Sequence, residues 1–384
     1  MPLFLDLPQT AIEHFEFMIA GWVMGPTDDI PIEIRVDGRK CKWHFYERPD
    51  LQPFLSSHEF VSGVCAIGKV SDCSGASEIR IDFSFGSEII TRKVGMTPGL
   101  RDQLAAEAQL REETRTWCME RLRCPSCFAV QLEFSPDRVT CSKCGTVFLQ
   151  DSRALNFISP KLRASSNIVE TEQVSSNPYT PAALELIEQT VRTGGLVLDC
   201  GAGSRPRRMK NVVNIEIVDY MSTDVLAIGE ALPFQDNIFD ATISLAVLEH
   251  VRDPFKCADE LIRVTKPNGL ILVDVPFLQP EHGYPHHYYN MTQQGLGRLF
   301  EGKAKILDLS VPLHGHPIWT LQWFMSTYLG GLPPHLREKF AAKTAEELAV
   351  PIQISDFTKP EIISLNQEAM KTLACLNSLI VQKL

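Results

Sequence analysis

Nine residues concentrate the clearest chemistry in this chain: Leu196-Val197-Leu198-Asp199-Cys200-Gly201-Ala202-Gly203-Ser204. An apolar run that ends in an acid and then in two glycines one residue apart is how a buried parallel strand hands over to a loop lying close to a nucleotide-like ligand. No third glycine completes the dinucleotide fingerprint, so the turn alone has low specificity. The next acid adds to it. Val212-Val213-Asn214-Ile215-Glu216 reads as a second short strand, and Glu216 stands 17 positions past Asp199. That is near the spacing of about 20 at which an acid grips ribose hydroxyls. Glu216 is placed to accept from a ribose diol, and Asp199 from the ligand's polar tail or from the glycine loop.

A second group of chemical residues crowds Leu278 to Thr292: Glu281, His282, Tyr284, His286, His287, Tyr288 and Tyr289, punctuated by Gly283 and Pro285. A loop at the carboxyl edge of a strand lies over the reactive end of a bound ligand. Imidazole titrates near neutrality and accepts a hydroxyl proton, and tyrosine rings stack on a sugar or an aromatic. The loop is therefore a candidate for meeting a second substrate. Metal binding by His282, His286 and His287 is the alternative, disfavoured because adjacent histidines rarely point at one ion. His250, in Leu248-Glu249-His250-Val251, reads either as a base or as a brace for the sheet-to-helix turn, and the brace is preferred.

A third group is made of thiols. Cys124-Pro125-Ser126-Cys127 and Cys141-Ser142-Lys143-Cys144 are Cys-x-x-Cys pairs with 13 residues (128–140) between them. Each pair puts two thiolates on one tight knuckle, and two knuckles close a tetrahedron around zinc. Gly145 relieves the second turn. A redox role needs one pair beside a helix, and neither pair sits so.

The elements that must hold these residues follow from periodicity. Ala183, Leu184, Ile187 and Val191 predict a helix over Pro181 to Arg192, ended by Gly194-Gly195. Phe239 to Ser244 reads as a strand, Pro254 to Thr265 as an amphipathic helix, Lys266-Pro267-Asn268-Gly269 as a turn and Leu270 to Val275 as another strand. Strands alternating with helices of this length predict an α/β fold with a parallel, helix-covered sheet.

From about Asn177 to Leu313 the chain resembles a class I S-adenosylmethionine-dependent methyltransferase of the broad small-molecule type. The matching pieces are Asp199-x-Gly201-x-Gly203, Glu216, Leu232-Pro233-Phe234 with Phe239-Asp240, Leu248-Glu249-His250-Val251, and Arg263-Val264-x-Lys266-Pro267-x-Gly269. The resemblance implies a Rossmann-like, mostly parallel seven-stranded sheet. It implies S-adenosylmethionine held by Asp199, Gly201, Ala202, Gly203, Glu216, Ile217, Ala231, Leu232, Ser244, Leu245 and Ala246. Ser244 to Ala246 would run beneath the methionine portion. One departure stands at Ile228, where family members often carry an acid for the adenine amino group; backbone near Ile228 to Ala231 would take over. The chemistry implied is in-line transfer of the sulfonium methyl to a nucleophile, with removal of a proton when the acceptor is a hydroxyl. A Pro276-Phe277…His282-Gly283-x-Pro285…Tyr288…Thr292 pattern recurs in such enzymes encoded with glycan pathways, and this resemblance makes His282, His287 and Tyr288 the acceptor-side candidates. Arg121 to Asp151, with Cys124, Cys127, Cys141 and Cys144 as ligands, resembles the small zinc ribbon that activates tRNA and protein methyltransferases. It lacks the usual Gly-Ile-Pro ending after Asp151, so a structural staple is the preferred role for the zinc.

The chain has 384 residues, 44 % hydrophobic content and formal net charge −10, enough to bury two or three cores. Ile32, Ile34 and Val36 alternate into Asp37-Gly38, and Ile79, Ile81, Phe83 and Phe85 alternate again, which predicts a small antiparallel β-sandwich. Gly21-Trp22-Val23, Val36-Asp37-Gly38, Glu47-Arg48-Pro49-Asp50 and Phe60 resemble an accessory β-domain of bacterial glycan-modifying enzymes. Trp22 and Trp43 serve either saccharide or core. The organisation expected is 1–96 accessory sandwich, 97–120 helical linker, 121–158 zinc ribbon, 159–318 methyltransferase domain and 319–384 helical cap. The aromatic run Trp319 to Tyr328 reads as a buried or lid-like helix rather than a membrane span, because Gly330-Gly331 and Pro333-Pro334 break it.

Met1 to Leu7 lacks the basic start and long apolar run of a signal peptide, and the eleven cysteines suit a reduced cytoplasm. The acidic balance argues against a nucleic-acid partner. Arg205, Arg207, Arg208 and Lys210 form a local basic cluster, read as a solvated helix start. The expected function is O-methylation of a saccharide or saccharide-bearing small molecule, with a homo-oligomer open. The alternatives are an rRNA or tRNA base methyltransferase, a sugar carbon methyltransferase, and a scaffold that has lost its chemistry.

Overall fold

The computed structural model describes residues 3–25, 31–48, 50, 60–70, 77–168, 176, 178–283, 286–351 and 354–373. Pro49, Asn177, Tyr284, Pro285 and the end of the chain from 374 lie outside the described residues. The chain divides into two compact units, Met1–Thr116 and Trp117–Leu384.

The first unit holds β1 (Leu3–Leu7), β2 (Glu16–Gly25), β3 (Ile32–Val36), β4 (Arg39–Cys41), β5 (Trp43–Tyr46), β6 (Phe60–Lys69), β7 (Glu78–Phe85) and β8 (Glu88–Gly95). They form two four-stranded antiparallel sheets in the orders β1-β2-β6-β5 and β4-β3-β7-β8. Alternation turns Ile19, Val23 and Val64 from one sheet and Ile34, Ile81 and Phe83 from the other into one shared core. Asp37 and Gly38 take φ of 47° and 83° and join β3 to β4. Two positive φ values make the two-residue turn whose twist matches its strands. Trp43 donates its indole N–H to the Ile32 carbonyl at 3.1 Å and packs on this core, while Trp22 stacks on Phe4 with ring centroids 4.1 Å apart.

Helix α1 (Pro98–Met119) leads into the second unit. There β9 (Leu132–Phe134), β10 (Arg138–Cys141) and β11 (Val147–Leu149) make a three-stranded antiparallel sheet that carries the paired cysteines. The chain continues through β12 (Leu155–Asn156), α2 (Pro160–Ser165), α3 (Pro181–Arg192), β13 (Val197–Cys200), β14 (Val212–Glu216), β15 (Val225–Leu226), β16 (Phe239–Leu245), α4 (Pro254–Val264) and β17 (Thr265–Asp274). Strands β12 to β17 form one sheet in the order β12-β15-β14-β13-β16-β17, with every neighbouring pair parallel. Its direction of winding reverses at β13, so the carboxyl ends of β13, β14 and β16 flank the crevice where such sheets bind ligands. The Lys266–Gly269 turn is pushed out of the β16–β17 register as a bulge, with Asn268 at φ 64°.

Six strands, not seven, make this sheet among the described residues. After β17 the chain enters α5 (Gln293–Phe300) and then runs unpaired to a short turn at Leu313–Gly315. Leu307, Leu309 and Val311 alternate there as a strand would, yet all are exposed. Between Gly302, at φ 72°, and Pro312 the chain joins no ladder of the sheet. Helices α6 (Pro317–Gly331), α7 (Pro334–Ala341), α8 (Ala345–Leu348), α9 (Pro360–Ile363) and α10 (Gln367–Thr372) complete the described chain. No helix among the described residues is long and apolar enough to cross a membrane.

One core runs through both sheets of the second unit. Cys118 of α1 and Leu122, Val139, Cys141 and Phe148 of the cysteine module are packed in a single buried cluster with Leu198, Val213 and Phe239 of the parallel sheet and with Phe157 and Phe234 beside it. Leu122 pairs with Phe234 in an antiparallel bridge, and Arg123 N donates to the Pro233 carbonyl at 2.9 Å.

Candidate active site

A cavity of about 380 Å³ opens at the carboxyl ends of β13, β14 and β16. Of the residues singled out from sequence, Gly201, Glu216, Ile217, Leu245, Ala246 and His282 line it. Gly201 and Gly203 take φ of 77° and 65°, and the Gly201 and Ala202 amides both donate to the Ile215 carbonyl at 3.0 Å. Only glycine accepts that conformation at no steric cost. A Cβ on Gly201 would also lie 2.4 Å from Val247 Cγ2, so the side-chain-free backbone is what lets the two strand ends close up.

Glu216 is fixed by this loop. Its Oε1 accepts from the Gly203 amide at 2.9 Å and its Oε2 from the Ile217 amide at 2.7 Å. Burial nevertheless pushes its carboxyl above the ordinary value, against the pull of those donors. Asp199 is fully buried behind the loop. Its Oδ2 accepts from the Tyr179 hydroxyl at 2.7 Å and from Arg205 at 3.0 and 2.9 Å, and the Arg205 guanidinium lies 3.8 Å over the Tyr179 ring. Burial raises the Asp199 carboxyl, while Arg205 and Tyr179 oppose the rise. Asp199 thus organises the floor of the loop rather than the cavity wall.

The basic cluster differs from its expected form. No helix follows the glycine loop, and the chain passes from Ser204 to β14 without one. Arg205 and Arg208 are buried, Arg205 on Asp199 and Arg208 on Asp224. A sequence read as a solvated helix start is instead an internal pair of ion bridges. The partners lie 6 and 16 positions away, a spacing that no local periodicity reveals.

At the adenine-facing side expected from the resemblance, Ile228, Gly229 and Glu230 line the cavity. Ala231 and Leu232 do not. Ala231 donates to the Ile228 carbonyl at 3.1 Å, and Leu232 is buried in the shared core with its amide on Glu260 at 2.8 Å. Ala202 and Ser244 are likewise buried away from the cavity wall. Ala246 adopts φ 54°, a left-handed conformation that costs a non-glycine residue energy, at the very end of β16.

The far end of the cavity is built from the His/Tyr loop. His250, His282, Gly283 and His286 line it, together with Ser166, Asn167 and Ile168 from behind α2. Gly283, at φ 83°, lays its backbone against the His250 ring; a Cβ there would meet Cε1 at 2.4 Å. Trp323 of α6 packs on the His282 ring with centroids 5.1 Å apart, and Glu281 N donates to the Thr372 carbonyl at 2.9 Å. The C-terminal helices therefore hold this loop in place. His287 and Tyr288 stay off the cavity wall. His287 Nδ1 lies 3.0 Å from the His282 amide and its Nε2 3.0 Å from Asn290 Oδ1, while the Tyr288 amide donates to the Glu249 carbonyl at 2.6 Å.

Sequence reasoning passed over the Glu249 side chain. It is fully buried, and neither carboxylate oxygen has a hydrogen-bond partner among the described residues. Burial pushes its carboxyl up to about 7. Burial likewise lowers His250 and His282 below the ordinary imidazole range. The one sequence signal for Glu249 was its position beside His250 in an otherwise apolar run.

The four cysteines form a separate centre. Cys124 Sγ and Cys144 Sγ lie 3.7 Å apart, and Cys127 Sγ and Cys141 Sγ 3.6 Å. A tetrahedron of sulfurs with zinc–sulfur bonds of about 2.3 Å has edges of about 3.8 Å, so the spacing is compatible with zinc. The two knuckles match in backbone as well: Phe128 (φ 62°) and Gly145 (φ 72°), each just past a second cysteine, are both left-handed.

Residues 196–273 match the family model described as a methyltransferase domain. The chain is 37 % identical over 102 residues to an uncharacterized methyltransferase of Mycobacteroides abscessus, covering 26 % of this chain and 36 % of the relative. It is 32 % identical over 147 residues to one of Mycobacterium leprae, covering 32 % and 49 %. The chain thus spans about a third to a half of the length of these curated relatives. Among solved structures, the YcgJ protein of Bacillus subtilis aligns over 46 % of this chain and 88 % of its own, at 17 % identity and a TM-score of 0.27. The stretch that matches the methyltransferase-domain model, 196–273, lies on the parallel sheet and includes its acid-and-glycine edge.

Proposed function

We propose that this protein transfers the methyl group of S-adenosylmethionine to an oxygen of a saccharide or saccharide-bearing small molecule. The observation that carries the reading is one cavity that Gly201, Glu216 and His282 all line. Its size suits a small acceptor beside the donor rather than a polymer surface. Glu216 would take the ribose hydroxyls, Ile228 to Glu230 the adenine, and Leu245 to Ala246 the methionine portion. The acceptor hydroxyl gives up its proton as its oxygen attacks the methyl carbon in line, the carbon–sulfur bond breaks and a neutral thioether leaves. His282 is the residue that makes the acceptor oxygen nucleophilic; His287 and Tyr288 act by holding its loop.

The four cysteines would hold a structural zinc ion, which supplies folding energy to a module too small for a core of its own. The 1–96 sandwich is read as an accessory domain, the 319–384 helices as a cap, and the setting as cytoplasmic. Two of the four basic residues behind the glycine loop are buried in ion pairs, which removes support for a phosphate-binding face and for the RNA reading.

Calorimetry with S-adenosylhomocysteine tests the donor half; no heat and no thermal shift would favour a scaffold. Labelled methyl transfer to a panel of sugars and nucleotide sugars tests the acceptor half, and product NMR separates oxygen from carbon methylation. His282→Ala should leave homocysteine-product binding nearly intact while slowing transfer at least about tenfold. Unchanged turnover would rule out its part.

A further inference from the structure

At the acceptor end of the cavity the Glu249 carboxylate is 0 % exposed and has no hydrogen-bond partner among the described residues. Two histidines lie beside it. His250 Nδ1 stands 2.6 Å from the His286 carbonyl oxygen, and His282 Nδ1 stands 2.8 Å from that of Pro280. A carbonyl only accepts, so each Nδ1 carries a hydrogen, and Nε2 is the ring nitrogen left to take a ligand when it is unprotonated. His250 Nε2 lies 3.7 Å from Glu249 Oε1, and ligand atoms of Glu249, His250 and His282 all fall within 4.8 Å of one another. A buried carboxyl and two imidazole nitrogens gathered in one half-dry corner call for a positive charge among them, a proton or a metal ion.

We propose that Glu249, His250 and His282 bind a divalent transition-metal ion of the Zn²⁺ class. Two imidazoles and a carboxylate suit Zn²⁺, Fe²⁺ or Co²⁺ better than Mg²⁺ or Ca²⁺, which prefer oxygen alone. Hydrogen bonds from Nδ1 to backbone carbonyls are the outer contacts that aim histidines at a metal. Gly283 completes the shape, since any side chain there would strike the His250 ring. This differs from a triad of loop histidines. His287 has both ring nitrogens engaged, and His286 Nε2 faces Asn167 at 2.9 and 3.0 Å.

What the ion does rests on the methyl-transfer reading. His250 and His282 line the cavity, so an open coordination position there takes the acceptor hydroxyl. Coordination lowers that hydroxyl's pKa and its proton leaves to water. The metal-held oxygen then forms the bond to the methyl carbon as the carbon–sulfur bond breaks.

The full-length protein is dialysed against Zn²⁺ and freed of excess ion. Zinc per chain is then measured beside the binding of S-adenosylhomocysteine. Glu249→Ala and His282→Ala should each lose one equivalent relative to the unaltered protein, whatever the four cysteines hold, and His286→Ala should keep it. Equal zinc in all these proteins, as a shared proton in place of a metal would give, overturns the site; so does an equal loss in His286→Ala. If Glu249→Ala does not fold, His282→Ala, on a half-buried loop side chain, carries the same comparison. Absence of homocysteine-product binding in the unaltered protein sinks the methyl-transfer reading and leaves the zinc count to decide the metal site alone.

Discussion

The Gly203 amide donates to Glu216 Oε1 at 2.9 Å, tying the glycine loop of one strand to the acid that ends its neighbour. The same carboxylate that would receive a ribose also sets the loop's position. Replacing Glu216 with alanine should therefore weaken S-adenosylhomocysteine binding more than one lost contact would. A hydrogen bond to a charged group is worth about 1.5–3 kcal/mol, or roughly 10- to 150-fold in affinity. Glu216→Gln keeps the acceptor for Gly203 and should fall between. Calorimetry reads both, and equal affinity in all three proteins would remove Glu216 from the donor site.

Gly201→Ala meets two obstacles at once, a φ of 77° and Val247 Cγ2 at 2.4 Å from the new methyl. The strain costs about 1–3 kcal/mol, and relieving it moves the loop. Thermal unfolding should fall accordingly, and donor affinity at least about tenfold. Trimming Val247 to alanine in the same chain should recover only the steric part, because the backbone conformation still needs glycine.

Ala246 tests the converse. Its φ of 54° is paid for by the structure around it, so Ala246→Gly should leave stability equal or slightly higher, and Ala246→Val should lower it by about 1–2 kcal/mol. Denaturant midpoints at constant slope would show the order Gly, Ala, Val.

Cys141 is fully buried in the core that the cysteine module shares with the parallel sheet. Cys141→Ser, or a chelator that removes the zinc proposed for this centre, should therefore unfold more than the module. Loss of a structural metal costs roughly 4 kcal/mol or more, a Tm lower by about 8 °C or more for a unit of this size. A sheet that melts at the same temperature without zinc would show that the ion is dispensable.

Asp240 gives a pH test. Burial pushes its carboxyl up, but the Lys266 ammonium at 2.9 Å and the Leu196 amide at 2.9 Å outweigh it and hold the group below the usual range. A folded value below the unfolded one stabilises the fold above the ordinary carboxylate range, and the benefit is lost as pH falls through the folded value. With about a third of the side chain exposed, screening keeps the worth under about 1 kcal/mol. Asp240→Asn should be the less stable protein at neutral pH, and the gap should close below about pH 4. A gap independent of pH would assign Asp240 no electrostatic part.

The motifs with fixed spacing were the most legible. Strand β14 begins and ends where the apolar run and its acid do, and α3 spans Pro181–Arg192 as its periodicity requires. Local patterns carry those elements. Strands β12 and β15 were not legible, because two-residue ladders have no period, and the alternating stretch after α5 joins no ladder among the described residues, so alternation alone did not make a seventh strand. Burial of Arg205 and Arg208 depends on partners brought by the fold, so basic residues in a polar run looked solvated. Glu249 was hidden for the same reason: its isolation is made by packing from the loop after β17, not by its neighbours in the chain.

Strand β12 follows the cysteine module with five residues between and then forms the outermost rail of the parallel sheet, paired with β15 at Leu155 and Val225. The module is therefore not a detachable cassette. Beginning the chain at residue 159 would strip that rail and leave the β15 backbone as an open seam that invites strands from other molecules. Any attempt to borrow the catalytic sheet for another protein has to carry the cysteines with it.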